Sequence, residues 1–199
     1  MTSVAATRPS GVMVGLAKLL PIETPAWQEL MNLPTIGDRV ERLAEPAARK
    51  KLTAEAQNAG FRWGFPPSAM HPLGFDTNPY HDLDENMSLQ QMADEAGVDP
   101  IELYIERLIQ SEGRELTNQW HFGFPAKTEH EYLTLDNVIP MVGDSGAHVS
   151  MVMDADSPTF LLSQLTRERG VFTLPDAIHR ITQQSAETLG IKERGVIRE

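Results

Sequence analysis

Residues 138–152 read VIPMVGDSGAHVSMV, an apolar run that is interrupted by Asp144 and His148 and then resumes. Burying an unpaired carboxylate is energetically costly, so an aspartate in such a run indicates either a partner or a chemical role. Gly143 and Gly146 flank Asp144 and would let the main chain approach a ligand closely. The stretch therefore predicts a buried strand whose carboxyl end carries a polar turn.

Two interpretations of Asp144 fit this local pattern. The carboxyl end of a strand is where an α/β barrel holds its catalytic groups, which favours a functional aspartate. Alternatively, Asp144 caps the turn that follows it. The spacing of the residues alone does not separate the two interpretations.

A second strand is predicted near the start of the chain. Residues 3–16, SVAATRPSGVMVGL, read as a strand that reaches Arg8-Pro9 and turns at Ser10-Gly11. The segments VAATR and VIPMV are apolar on both faces, as are the strands of a parallel sheet that is covered by helices. We therefore expect these two segments to be adjacent parallel strands.

Helical patterns fill much of the chain between and after these strands. A helical stretch from about Asp38 to Asn58 contains Pro46, which should split it into two helices, the second with proline in its first turn. Further helices are predicted to begin at Ser88 and Asp99, and others to cover residues 157–170 and 174–190. Residues 60–86 are predicted to form a long ordered loop or short strands, and a polar loop is predicted before residue 138. This order of strands and helices predicts the α/β class.

The composition limits the possible partners. The chain has 199 residues, a net charge of −11 and no cysteine. The negative charge argues against nucleic acid and anionic membranes as partners, and the lack of cysteine excludes disulfides and thiolate zinc ligands. The N-terminal apolar stretch is short and is interrupted by Lys18, so no signal peptide or membrane span is predicted. A cytoplasmic location is compatible with these features.

The six histidines form no HxH or HExxH pair, so local spacing identifies no metal site. His179 lies within a predicted helix and is interpreted as structural, and residues 81–84, HDLD, as a solvated or capping cluster. The sequence has no glycine-rich phosphate loop and no GxSxG nucleophile elbow. Asp154 and Asp156 are interpreted as part of a loop and helix start.

Motifs in the last third of the chain point to one enzyme family. They are D-x-G-A-H at residues 144–148, R-[DE]-R-G at residues 167–170, T-x-x-[SP]-A-x-x-[LF]-G-[IL] at residues 182–191 and R-G at residues 194–195. Upstream, residues 7–16 resemble a strand with an R-P turn, and residues 88–109 resemble a helix pair that begins S-L-x-x-[IM]-A. Together these motifs closely resemble the C-terminal part of the N-acyl-D-amino-acid deacylases (D-aminoacylases) of the amidohydrolase superfamily.

The resemblance implies the C-terminal part of a (β/α)₈ TIM-type barrel, about strands seven and eight with their helices and an inserted loop. Residues 1–199 would then form a partial metal-dependent amidohydrolase catalytic domain. The resemblance also implies that Asp144 is the general acid/base beside a metal-activated water, and that Arg8 and His148 on the same rim contact the substrate carboxylate. The implied cofactor is zinc, and the family's zinc ligands have no counterparts in this chain.

The function implied by the resemblance is hydrolysis of the amide bond of N-acyl-D-amino acids or related amides. The chain would be an incomplete part of the enzyme and inactive in isolation. The expected partners are a small-molecule amide substrate and either the N-terminal half of the barrel or another copy of the chain. The alternative is a catalytically inactive α/β module that acts through partner binding. A separate small hydrolase is a third interpretation, for which no motif is found.

Overall fold

The computed structural model describes residues 2–7, 10–75, 87–122, 126–140, 143, 151 and 154–198. The chain forms two compact units. The first unit combines Met1–Gly11 with His121–Glu199, and the second comprises Val12–Trp120. The chain thus leaves the first unit after its opening residues and returns to it at His121.

The strands within the described residues are β1 Ser3–Ala5, β2 Ser10–Val14, β3 Met70–Pro72, β4 Thr117–Phe122 and β5 Val138–Pro140. The α-helices in the same residues are α1 Pro25–Met31, α2 Ile36–Ala44, α3 Pro46–Ala59, α4 Leu89–Ala96, α5 Pro100–Gln110, α6 Ala126–Leu133, α7 Ser157–Phe160, α8 Leu174–His179 and α9 Ser185–Thr188. Two π-helical segments, Leu161–Glu168 and Arg180–Gln184, continue α7 and α8. The chain therefore has the mixed α/β composition that the sequence predicts.

The sheet of the first unit consists of β1 and β5. The two strands are parallel, and their register runs from Ser3 opposite Val138 to Ala5 opposite Pro140. This pairing confirms that the two apolar segments are adjacent parallel strands. Parallel strands need a long crossover connection, and here the crossover contains the whole second unit.

Helices pack against this two-stranded sheet. Helix α6 packs against both strands, and the π-helical segment that continues α8 packs against β5. The first unit buries apolar side chains from its strands, its helices and the turn before α8: Ala5, Leu133, Val138, Leu161, Leu165, Phe172 and Ala177. The expectation that helices cover the parallel pair is confirmed in part, because α6 packs on both strands but Val4 of β1 is 59% exposed.

Gly195 lies against the π-helical segment Arg180–Gln184. It has a φ of +82°, and a Cβ atom at this position would lie 2.5 Å from the Cα of Gln183. Main-chain atoms cannot move aside as the end of a side chain can, so only glycine fits here. This close approach explains why the residue after Arg194 is a glycine.

The second unit contains a three-stranded sheet in the order β2-β4-β3. Strands β3 and β4 are antiparallel, with His71 opposite Asn118. Trp27 is completely buried, and its indole nitrogen donates a 3.0 Å hydrogen bond to the carbonyl oxygen of Leu52, which joins α1 to α3. The other large, fully buried side chains of this unit are Leu16, Leu30, Leu43, Met70, Leu73, Leu89, Tyr104, Ile105 and Leu108.

The helix boundaries that the sequence predicts in this unit are confirmed. Helix α2 ends before Pro46, and Pro46 is the first residue of α3, where its fixed φ is favourable and its missing N–H is not needed. Ser88 and Asp99 are the N-caps of α4 and α5, and the side chain of each accepts hydrogen bonds from main-chain N–H groups of the first turn.

Two predictions from the sequence are wrong. The segment before residue 138, predicted to be a polar loop, forms β4 and α6. The strand sequence TNQWHF lacks the alternation of apolar and polar residues by which a half-buried strand is recognised. Ser10 and Gly11, predicted to form a turn, lie within β2.

Candidate functional site

The carboxyl ends of β1 and β5 lie at the same edge of the sheet, because the two strands are parallel. In the sequence, Arg8 follows β1 by three residues, and Asp144 and His148 follow β5 by four and eight residues. These three predicted site residues lie outside the described residues. The surroundings of the candidate site are therefore given by the described residues at the same strand ends.

Thr7 and Ser157 join the end of β1 to a helix. Their hydroxyl oxygens are 2.9 Å apart, and the two residues are 2% and 4% exposed. Ser157 is the first residue of α7, so this hydrogen bond holds the start of the helix against the end of the strand. One hydroxyl donates to the other, which lowers the cost of burying both.

His130 on α6 reaches the same strand end. Its Nε2 lies 3.3 Å from the carbonyl oxygen of Thr7. A carbonyl oxygen can only accept, so this hydrogen bond places a ring proton on Nε2. Thr7, His130 and Ser157 form what we call the strand-end cluster.

The strand-end cluster supplies hydroxyl and imidazole groups that can orient a polar ligand or transfer a proton. No motif in the sequence indicates this cluster. The two hydroxyl residues lie 150 positions apart and belong to no motif. His130 lies in the segment for which the sequence predicts a loop, whereas the structure places it on helix α6.

A second polar group of residues lies on β4 in the second unit. Thr117, Asn118 and Gln119 are completely buried. The Gln119 side-chain nitrogen donates to the carbonyl oxygen of Arg62 at 3.2 Å, whereas neither amide atom of Asn118 has a hydrogen-bond partner within the part of the chain that the structure describes. A buried polar group that is left without any partner costs about 1–3 kcal/mol, so the side chain of Asn118 is a polar group whose burial needs an explanation.

Two aromatic rings stack beside this polar strand. The rings of His71 and Trp120 have centroids 3.4 Å apart and are inclined by 10°. The register places His71 opposite Asn118, and Trp120 is two residues further along β4, so all three side chains belong to one face of the sheet. Buried polar side chains beside stacked rings are unusual in a protein core. No motif in the sequence indicates this group of residues.

The described residues do not by themselves fit a catalytic zinc ion. Such an ion needs about three protein ligands. Across residues 2–7, 10–75, 87–122, 126–140 and 154–198, no three His, Asp or Glu side chains converge on one point. Burial lowers the pKa of His121, which favours the neutral form of its ring. Asp154–Asp156 form a short turn before α7, as the sequence interpretation has it.

Comparisons with known proteins do not identify a family. No protein-family model matches the chain, and neither a curated protein nor a solved structure matches it.

In the described part of the chain, no helix combines the length and the apolar character that crossing a membrane requires.

Proposed function

We propose that this chain is part of a metal-dependent amidohydrolase that cleaves the amide bond of N-acyl-D-amino acids or related amides. The observation that carries the proposal is the parallel pairing of β1 with β5. The barrel interpretation requires β1 and β5 to be parallel neighbours. The local sequence patterns of the two segments would be compatible with other pairings. The D-x-G-A-H motif at residues 144–148 supports the proposal through its resemblance to the deacylases.

In the proposed site, Asp144 is the general acid/base. Its carboxylate takes a proton from the attacking water and returns a proton to the nitrogen of the leaving amine. Arg8 and His148 bind the carboxylate of the substrate, as the resemblance suggests. In the sequence, Arg8 and Asp144 follow, by three and four residues, two strands that end at the same edge of the sheet.

The strand-end cluster has a supporting role in this proposal. The hydrogen bonds of Thr7 with Ser157 and His130 restrain the residue next to Arg8. Zinc would supply the Lewis acid that activates the water. Its ligands would come from polypeptide other than residues 1–199, either an N-terminal part of the barrel or another copy of the chain. We place the protein in the cytoplasm, with which a chain that lacks cysteine is compatible.

The proposal predicts that the isolated 199-residue chain binds zinc weakly or not at all and does not release the amine from N-acetyl-D-methionine. Asp144 alone cannot make water an effective nucleophile, because free water has a pKa of about 15.7. The test is elemental analysis of the purified chain, followed by an amine-release assay with and without added zinc. Stoichiometric zinc with turnover that Asp144→Ala abolishes would show that the chain is a complete enzyme, which contradicts this proposal.

A second experiment tests the chemistry directly. The open reading frame upstream of Met1 is read, and the complete polypeptide that it encodes is assayed with zinc on N-acetyl-D-methionine. Asp144→Asn should lower kcat by at least about 10²-fold, because it removes the proton acceptor. The exposed Glu95→Gln loses the same charge in the second unit and should leave kcat unchanged. A complete polypeptide that neither binds zinc nor hydrolyses the amide would favour the inactive, partner-binding module.

A further inference from the structure

A cavity of about 470 Å³ opens on the first unit, beside the residues that precede β5. Its walls come from residues 134–136, the turn before α8, α8 itself and the π-helical segment that follows it. This volume lies within the range of about 300–1,000 Å³ that is typical of small-molecule sites. It is larger than a single amino acid, so a ligand of that size can enter without a change of the main chain.

Arg180 provides a fixed positive charge at this cavity. Its Nη1 donates to the carbonyl oxygens of Leu135 and Val138 at 3.1 Å each, and its Nη2 donates to that of Thr134 at 3.0 Å. A guanidinium has five N–H donors, and two of those of Arg180 make no hydrogen bond to the residues that the structure describes. Among the described residues, the hydrogen-bond partners of the Arg180 guanidinium are carbonyl oxygens and not carboxylates. The guanidinium is therefore oriented by the protein and still able to bind an anion.

Two carboxylates line the same cavity. Asp136 and Asp176 are both exposed. Asp176 accepts a 2.5 Å hydrogen bond from the hydroxyl of Thr173 through one oxygen, which leaves the other available. The Asp136 side chain makes no hydrogen bond to any residue that the structure describes, although its carbonyl oxygen accepts from Gln184. The cavity thus offers acceptors for a cationic group beside a donor for an anionic one.

An aromatic side chain forms the apolar part of the lining. Phe172 is 9% exposed, and the Arg180 guanidinium lies 5.2 Å from the centre of its ring. This stacking holds the guanidinium in place, and the small exposed part of the ring lines the cavity. An acid alone or an amine alone would use only one of the two charged sides.

From this combination we propose that the cavity binds a free α-amino acid as its zwitterion. Arg180 binds the carboxylate, Asp136 and Asp176 bind the ammonium group, and the ligand side chain lies against Phe172. An N-acylated amino acid lacks the ammonium charge and fits poorly. The site therefore distinguishes a free amino acid from its acylated form.

This binding has a consequence that rests on the proposed function. Hydrolysis of an N-acyl-amino acid releases a free amino acid, so the cavity would bind the product in preference to the substrate. The cavity borders the residues before β5, whereas Asp144 follows β5 in the sequence.

The binding experiment uses the 199-residue chain and isothermal titration calorimetry at pH 7. The probe is D-methionine, with N-acetyl-D-methionine as the probe without an ammonium group and 3-(methylthio)propylamine as the probe without a carboxylate. We expect one D-methionine per chain at millimolar concentration, and at least tenfold weaker binding of the other two probes. Asp136→Asn should weaken D-methionine binding about three- to tenfold, because it removes one charge-assisted hydrogen bond at an exposed site.

Asp136→Asn is the informative variant because the Asp136 side chain makes no hydrogen bond to a described residue. Arg180, in contrast, donates hydrogen bonds to three carbonyl oxygens, and the loss of these bonds would destabilise the unit. The matched control is Glu95→Gln, an exposed carboxylate of the second unit, which should change the affinity less than twofold. Three results would each contradict the proposed site. They are equal affinity for D-methionine and N-acetyl-D-methionine, equal effects of the two variants on D-methionine binding, and a D-methionine titration that does not saturate. These outcomes do not depend on hydrolysis, so they are distinct from failure of the amidase assay.

Discussion

Replacing Arg107 by alanine should destabilise the second unit more than any exposed ion-pair substitution does. The Glu115 side chain is completely buried, and one of its oxygens accepts from the Nε and Nη2 of Arg107 at 3.0 and 2.9 Å. The other carboxylate oxygen, Oε2, has no hydrogen-bond partner in the described part of the chain. Arg107→Ala would leave this carboxylate buried with no counter-charge, whereas Glu115→Gln keeps an acceptor for Arg107 and removes the buried charge.

The two substitutions should therefore have unequal costs. Breaking a buried pair by removing one partner costs about 3–5 kcal/mol, and we expect Arg107→Ala to fall near the lower end because Arg107 is 22% exposed. Glu115→Gln should cost about 1 kcal/mol. The double substitution should cost less than Arg107→Ala alone, because no unpaired carboxylate remains. The exposed pair of Arg42 with Glu45 supplies the control, since Arg42→Ala should cost less than about 1 kcal/mol.

The cost of Arg107→Ala should also depend on pH. Burial raises the pKa of Glu115 above its ordinary value of about 4.3, and Arg107 opposes this rise. A carboxyl whose pKa is raised on folding stabilises the folded state at low pH, and this stabilisation is lost as the pH rises through the folded-state pKa. Without Arg107 that pKa rises further, so Arg107→Ala should be less damaging at pH 5 than at pH 8.

Urea unfolding at pH 5 and pH 8 measures these free energies. Tryptophan fluorescence reports the transition of the second unit, because all three tryptophans, Trp27, Trp63 and Trp120, belong to it. An Arg107→Ala variant that costs no more than Arg42→Ala, or one whose cost is the same at both pH values, would refute the reasoning about Glu115.

Two further predictions concern the first unit and use the same unfolding assay, followed by circular dichroism. Gly195→Ala should be at least about 1 kcal/mol more destabilising than Gly190→Ala, because both glycines have positive φ but only Gly195 would place a Cβ against main-chain atoms; equal costs would show that the close approach is not maintained. Thr7→Val should cost about 1–2 kcal/mol through loss of the buried hydrogen bond with Ser157, whereas Thr7→Ser keeps the hydroxyl and should cost less. A Thr7→Val variant as stable as Thr7→Ser would contradict the role of that bond.

The parts of the fold that could be predicted from the sequence are those with a local physical cause. Pro46 ends one helix and starts another because its ring fixes φ and removes an N–H group. The pairing of β1 with β5 could be predicted because both are short apolar runs, although 132 residues lie between them. Strand β4 could not be predicted, because a buried strand made of Thr, Asn and Gln contradicts the usual relation between polarity and exposure.

The candidate site shows the same division. Asp144 could be singled out because a charge within an apolar run is costly wherever the run folds. Thr7, Ser157 and His130 could not, because hydroxyls and single histidines are common in any sequence and gain meaning only when distant segments meet. Thr7 immediately precedes Arg8, and its side chain and carbonyl oxygen bind residues from two different helices. These contacts restrain the main chain at Thr7, the residue before the proposed substrate-binding Arg8. The strand-end cluster therefore connects the packing of the first unit to the chemistry proposed at the carboxyl ends of β1 and β5.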